Sequence, residues 1–254
     1  MTGAEPASGR PPGTRRPGCF VTGTDTGVGK TVVAAAIVAR LAAGAIPVTA
    51  VKPLITGLHE PSDPDWPLDH ELLARVAGCT PAEVVVSGYG PAVSPHLAAA
   101  LAGEPLPSIA QLTGAVAART PPGSTLVVEG VGGLLVPLGP HQDVRALAAA
   151  LGLALVIAAR PGLGTINHTL LTLEAARAAS LAVAGVVLTP WPAEPDVIAE
   201  SNRETIAQRG AVDVATLALL PRADADLLAA AAADLPLARW LGLSEGGAEA
   251  GQSS

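Results

Sequence analysis

The sequence predicts an α/β fold, a mostly parallel β-sheet with helices on both faces. Three observations predict it. Short apolar runs alternate with helical stretches along most of the 254 residues, the order expected of strand–helix–strand units. Apolar residues make up 49% of the chain, chiefly Ala, Leu and Val, and aromatics only 2%, so a large core must be built from aliphatics. One strand, Cys19-Phe20-Val21, runs straight into a glycine-bearing loop and then a helix, the strand–loop–helix unit from which such sheets are built.

The elements follow in order. Thr31 to Ala43 is an alanine-rich helix stopped by Gly44. Val48 to Val51 is the second strand, followed by Lys52-Pro53. Leu58 to Pro67, rich in Pro and Asp, is a loop. Leu68 to Ala77 is helical, with Gly78 as its stop. Thr80-Pro81 opens a short turn or helix, and Val84 to Val86 is a brief extended piece. Ser94 caps a helix that begins at Pro95 and reaches Ala102. Ser108 to Arg119 is another helix. Thr125 to Val128 is a strand ending in Glu129, before a glycine loop. Asp143 caps a helix to Leu151. Ala154 to Ala158, Val183 to Leu188 and Val214 to Leu219 are strands, separated by helices over Thr165 to Ala179 and Asp196 to Arg209. No internal repeat is visible. Composition assigns residues 1–17 and 244–254 to disordered tails and 18–243 to a single domain.

In the first loop, Gly23, Gly27 and Gly29 precede Lys30-Thr31. Backbone N–H groups and the positive end of the following helix suit phosphate oxygens. Lys30 is placed for the outer phosphates and the Thr31 hydroxyl for Mg²⁺. The first glycine stands one residue earlier than in the usual spacing, so the loop belongs to a longer variant class.

Charge and cysteine content narrow the function. A net charge of −7, with no long basic run, argues against nucleic acid as the main partner. The apolar stretch Ala146 to Ala159 is shorter than the roughly 20 residues a membrane span needs, and no secretory leader is visible. Cys19 and Cys79 show no metal-ligand spacing, which points to a cytoplasmic chain without structural disulfides.

Only two of the 15 basic side chains are lysines, Lys30 and Lys52, and both follow predicted strands, where open α/β sheets bind ligands. Glu129, at a predicted strand end before glycines, is a Mg²⁺-directed carboxylate, a helix cap or a solvated loop acid. Asp69, at a helix start, reads on its own as a capping or first-turn acid before anything else. Gly162-Leu163-Gly164 ahead of a helix is a second, weaker anion-type turn.

Taken together and in order, VTGTDTGVGKT, VKPLITG, VEGVGGLLVPL and GLGTINH resemble the dethiobiotin synthetase family of biotin synthesis, from about Cys19 to Ala223. The resemblance implies an ATP-dependent cyclo-ligase acting on 7,8-diaminononanoate and CO₂. One amine forms a carbamate, the carbamate attacks the γ-phosphate, and the second amine closes the cyclic urea. Matched by motif, Lys30 and Lys52 are the catalytic cations. Thr31, Asp69 and Glu129 are the Mg²⁺ positions. The nucleotide positions are Gly27, Val28, Gly29, Lys30, Thr31, Val32 and Asp69; then Glu129, Gly130, Val131 and Gly132; then Thr189, Pro190, Pro221, Arg222 and Ala223. Thr26 and Thr56 fall on the substrate side. Gly164 and Asn167 would meet the substrate tail across a homodimer.

One departure stands out. Thr189-Pro190 occupies the place where the family carries an adenine-reading Asn-Asp. Proline has no N–H and threonine lacks the amide's paired donor and acceptor, so triphosphates other than ATP become candidate substrates. Two rival readings are a related amide-forming ATPase and a partitioning-type switch ATPase. The first usually adds a nucleophilic cysteine, and Cys79 lies in no strand-to-helix nucleophile turn. The second usually has a lysine early in the phosphate loop, and this loop has none before Lys30.

Overall fold

The computed structural model describes residues 16–243. Most of both predicted tails, residues 1–15 and 244–254, lies outside the described residues. Strand β1 (Gly18–Gly23) leads into α1 (Lys30–Ala43), β2 (Val48–Thr56), α2 (Asp69–Ala77), α3 (Pro81–Val84) and β3 (Val85–Tyr89). Then come α4 (Pro95–Ala102), α5 (Ile109–Arg119), β4 (Thr125–Gly133), β5 (Pro137–Gly139), β6 (Gln142–Asp143) and α6 (Val144–Leu151). The chain ends through β7 (Ala154–Ala159), α7 (Thr165–Ala178), β8 (Val183–Trp191), α8 (Val197–Gly210), β9 (Val214–Ala218), α9 (Ala225–Ala231) and α10 (Leu237–Leu241).

Seven strands form one sheet in the order β3-β2-β4-β1-β7-β8-β9, every pairing parallel. Residues alternate between two cores. Cys19 and Val21 face a layer with α1, α2, α9 and α10, while Phe20 faces α5, α6, α7 and α8 on the other side. β1 and β4 are neighbours, yet the helices that follow them, α1 and α6, pack on opposite faces. A crevice therefore opens at their C-terminal ends, where sheets of this kind bind ligands. The Cys19 thiol is fully buried in this core, and burial pushes its pKa up to about 12.

Several features differ from the sequence expectations. β4 does not end at Glu129 but runs on through the glycines to Gly133, and β8 runs past Leu188 through Thr189-Pro190 to Trp191, so Glu129 and Thr189-Pro190 lie within strands rather than after them. β2 does not stop at Val51: it loses β4 as a partner there and gains β3 over Lys52 to Thr56. Lys52 therefore lies inside a strand rather than after one. The small hairpin β5–β6 carries no sequence signal, being only three and two residues long. Patterning assigns nothing to residues 220–243, where α9 and α10 form. Asp224 caps α9 by accepting from the Asp226 and Leu227 amides, and the buried Leu228 and Ala229 join α1 in the core.

α10 closes one edge of the core through Trp240, whose indole N–H donates to Asp213 at 3.2 Å. Its ring covers Gly185 so closely that a Cβ there would lie 2.1 Å from ring carbon Cζ2. Gly185→Ala should therefore cost about 1–3 kcal/mol of stability, the range for overpacking a tight core. Urea denaturation measures it. A loss under about 0.5 kcal/mol would mean that α10 moves aside freely.

Candidate active site

The loop after β1 is built around small residues and one apolar anchor. Val28, 1% exposed, turns into the core and fills the space beside Gly23, where a Cβ would come within 2.7 Å of its methyl group. Gly29 has φ +88°, and a Cβ on it would meet the Thr189 methyl at 2.7 Å. Only glycine suits that backbone and that contact. The Lys30 ammonium folds back to donate to the Asp25 carbonyl at 2.8 Å. Burial holds its pKa below the ordinary lysine value, and Lys52 adds to the effect; the attraction of Glu129, Asp69 and Asp25 offsets only part of it.

Across the crevice sits a buried ion cluster. β2 and β4 pair in register up to Val51 and Val128, so the next residue on each strand, Lys52 and Glu129, meet as the strands part. The Lys52 ammonium donates to Glu129 Oε1 at 2.6 Å and also to Asp69 Oδ2. The Thr31 hydroxyl donates to the same Glu129 oxygen at 2.8 Å. Asp69 is the first residue of α2, but Leu68 is the N-cap and Asp69 makes no side-chain cap bond, so its carboxylate is free for Lys52.

Lys52 is 3% exposed and Glu129 1%. Burial alone would lower the Lys52 pKa, but the two carboxylates outweigh it and hold the ammonium above its ordinary value. Burial raises Glu129, with help from Asp69, despite the pull of Lys52. Asp69 is also raised by burial, but Lys52 and Thr31 more than reverse this, leaving it below the usual carboxylate range.

A cleft of about 620 Å³ opens above the cluster. Thr26, Gly27, Gly29, Lys30, Thr31, Val32, Lys52, Thr56, Asp69, Val131 and Gly132 all line it, which brings together most of the residues the sequence singled out. Glu129 is buried and does not itself line it; it meets the cleft through Lys52 and Thr31, which both bond it. Gly130 is buried against Phe20, whose ring would lie 2.8 Å from a Cβ at that position, so it lets the strand pass rather than lining the cleft.

The base-side residues lie elsewhere. Thr189 is 2% exposed beneath Gly29, Ala223 is buried, and Pro190, Pro221 and Arg222 are exposed. Ala223 is tied to the loop before α2, its N–H donating to the Asp65 carbonyl at 2.8 Å. Gly164 and Asn167 are exposed at the start of α7, outside the cleft.

Sequence reasoning missed Trp66, Ser94 and Pro95, which also line the cleft, and Asn202. Asn202 sits 6% exposed on α8 and donates to the Pro161 and Gly162 carbonyls at 2.8 and 3.2 Å, fixing the turn before α7. Nothing in the sequence marks that long-range contact.

The donor set fits a hard divalent cation carried by a phosphate chain. Glu129 Oε2 is buried without a partner, and two carboxylates and a hydroxyl converge. Among the described residues no cluster of three His, Cys, Asp or Glu side chains could hold an ion by itself. Two carboxylates and a hydroxyl are a donor set of the kind Mg²⁺ takes, its shell completed by phosphate and water.

A parallel sheet with a GKT loop at its topological switch, and a carboxylate on the adjacent strand where it parts from β2, defines a phosphate-loop nucleotide-binding protein. A family model described as an AAA domain matches residues 17–225. The ATP-dependent dethiobiotin synthetase BioD of Mycobacterium avium strain 104 is 42% identical over 219 residues, 84% of this chain and 94% of that protein. The protein of the same name from Anaeromyxobacter dehalogenans is 42% identical over 193 residues, 75% of this chain and 84% of its own. The chain belongs to the dethiobiotin synthetase family. Among solved structures, the chloroplast FtsY of Physcomitrella patens is similar at 15% identity and a TM-score of 0.47, covering 86% of this chain and 66% of that one.

Proposed function

We propose that this protein is an ATP-dependent dethiobiotin synthetase, closing the cyclic urea of dethiobiotin from 7,8-diaminononanoate and CO₂. The observation that carries the proposal is the meeting of both lysines, Thr31 and Asp69 in one cleft, with the buried Glu129 bonded to Thr31 and Lys52 at its edge. The chemistry builds negative charge on a carbamate and on a transferring phosphoryl group, so preorganised cations and N–H donors are what it needs. Lys30 holds the γ-phosphate. Lys52 faces carbamate and phosphate together, and Thr26 and Thr56 border the substrate. Thr31, Asp69 and Glu129 would hold Mg²⁺, which supplies charge neutralisation to the phosphate oxygens. Incubating the protein with diaminononanoate, bicarbonate and Mg·ATP tests the proposal: dethiobiotin and phosphate should appear in equal amounts. Phosphate release without a cyclic urea, or no dependence on the diamine, would sink it.

Base recognition is expected to be weak. Thr189 is buried under Gly29 and Pro190 offers no N–H, so this stretch gives no amide to read adenine. Discrimination between ATP and at least one of CTP, GTP and UTP should stay below about tenfold in kcat/KM. A side-by-side series at fixed Mg²⁺ decides it, and a hundredfold preference for ATP over each of the others would overturn it.

The working unit is a homodimer in which Gly164 and Asn167 reach the substrate tail of the partner. Supporting this, Leu163 is 94% exposed beside Gly164, and the exposed Leu135 and Leu171 line a second cavity of about 440 Å³. Sedimentation equilibrium should give twice the 25.1 kDa chain mass. A monomer at micromolar concentration would refute it. Among the described residues no helix is long and apolar enough to cross a membrane, which is compatible with a cytoplasmic enzyme.

A further inference from the structure

The two carboxylates already have a cation between them, supplied by the chain itself. The Lys52 ammonium lies 2.6 Å from Glu129 Oε1 and also bonds Asp69, and the Glu129 oxygen it holds is the one that takes the Thr31 hydroxyl. With Lys30 bound to the Asp25 carbonyl, Lys52 is the only cationic side chain ion-paired to this carboxylate pair among the described residues. A free divalent ion entering here would meet a buried like charge fixed against both of its prospective carboxylate ligands. That repulsion is least screened on the side of the buried Glu129 and weaker towards Asp69, whose side chain is 45% exposed. A triphosphate changes the balance, because its charge attracts the ammonium as the ion arrives. The four-carbon stem of lysine can make that move, which a planar guanidinium held in a bidentate fork could not make as readily.

We infer that Lys52 is a positioning residue that fills the divalent-cation place between Asp69 and Glu129 when no nucleotide is bound. It bars free Mg²⁺ and yields only to an ion that arrives with the triphosphate. This rests on Thr31, Asp69 and Glu129 being the metal position. It adds to the phosphate- and carbamate-facing role of Lys52 a second one, selecting a nucleotide-bound ion over a free one.

Mn²⁺ serves as the probe, with the free ion counted by electron paramagnetic resonance on nucleotide-free protein. Lys52→Gln and Lys52→Met should bind one Mn²⁺ at least about tenfold more tightly than wild type, and Glu129→Gln added to either should erase the gain. A merely structural lysine would produce the same gain, so the decision between the two falls to the lysine signal itself. Wild-type protein gives an independent readout, because its two lysines yield only two side-chain signals in ε-¹⁵N-lysine spectra, with Lys52 assigned by its loss in Lys52→Gln. Mg²⁺ alone should leave that signal in place, whereas Mg²⁺ with a non-hydrolysable ATP analogue should shift it. No gain in Mn²⁺ affinity in the Lys52 variants, a gain that survives Glu129→Gln, or a Lys52 signal shifted by Mg²⁺ alone each overturns the inference. The metal assignment fails separately, if Mn²⁺ held by wild type with the analogue is indifferent to Glu129→Gln.

Discussion

Lys30→Ala removes turnover, by on the order of a hundredfold to a thousandfold in kcat, while leaving the fold intact. Lys30 is the phosphate loop's charged donor, and the loop's other donors are backbone groups. In the nucleotide-free chain it bonds only the Asp25 carbonyl, so its loss leaves no buried carboxylate without a partner. Burial makes the ammonium harder to protonate in the folded chain than in the unfolded one. The charge therefore costs stability at neutral pH, and that cost fades only as pH rises from the lowered folded value towards the ordinary one. The variant should melt no lower than wild type at pH 7, a trade of stability against function common at phosphate-binding sites. Phosphate release with saturating Mg·ATP, diamine and bicarbonate, beside a thermal melt, measures both parts. Turnover within twofold of wild type would remove Lys30 from the catalytic machinery.

The phosphate loop was legible in the sequence because its parts are consecutive. Strand, glycines, Lys30-Thr31 and helix lie in one stretch, and local geometry does the rest. Glu129 and Lys52 were legible singly, each as a charge at the end of an apolar run. Their ion pair was not, because it depends on β2 lying beside β4 and parting from it one residue later. Strand order is a property of the whole sheet. Asp69 was ambiguous for a different reason: the first turn of a helix welcomes any acid, and only the approach of Lys52 decides what this one does. The burial of Thr189 under Gly29 and the hold of Asn202 on the turn before α7 join residues far apart in sequence, and no local pattern encodes them. α9 and α10 are only seven and five residues long, so tertiary packing rather than periodicity fixes them.

Glu129→Ala should be the most destabilising single change at the site, costing about 3 kcal/mol or more. The reason is the partner it abandons. Lys52 is 3% exposed, and Asp69, whose side chain is 45% exposed, is left as its one ion-pair partner. A buried ammonium deprived of its buried counter-ion keeps its desolvation cost and loses most of the attraction that offset it. Replacing both members should undo the damage: Glu129→Ala with Lys52→Met removes the stranded charge and puts an apolar side chain of similar length in its place. Stability should then return to within about 1 kcal/mol of wild type. On the proposed function activity should not return, because the double variant lacks both the carboxylate assigned there to the metal and the cation assigned there to the carbamate. Urea denaturation of the wild type, both single variants and the double variant closes the cycle. If the double variant is as unstable as Glu129→Ala, the loss comes from packing around position 129 and not from an unpaired charge. If Glu129→Ala costs less than about 1 kcal/mol, Lys52 escapes to water and the cluster is looser than its geometry implies.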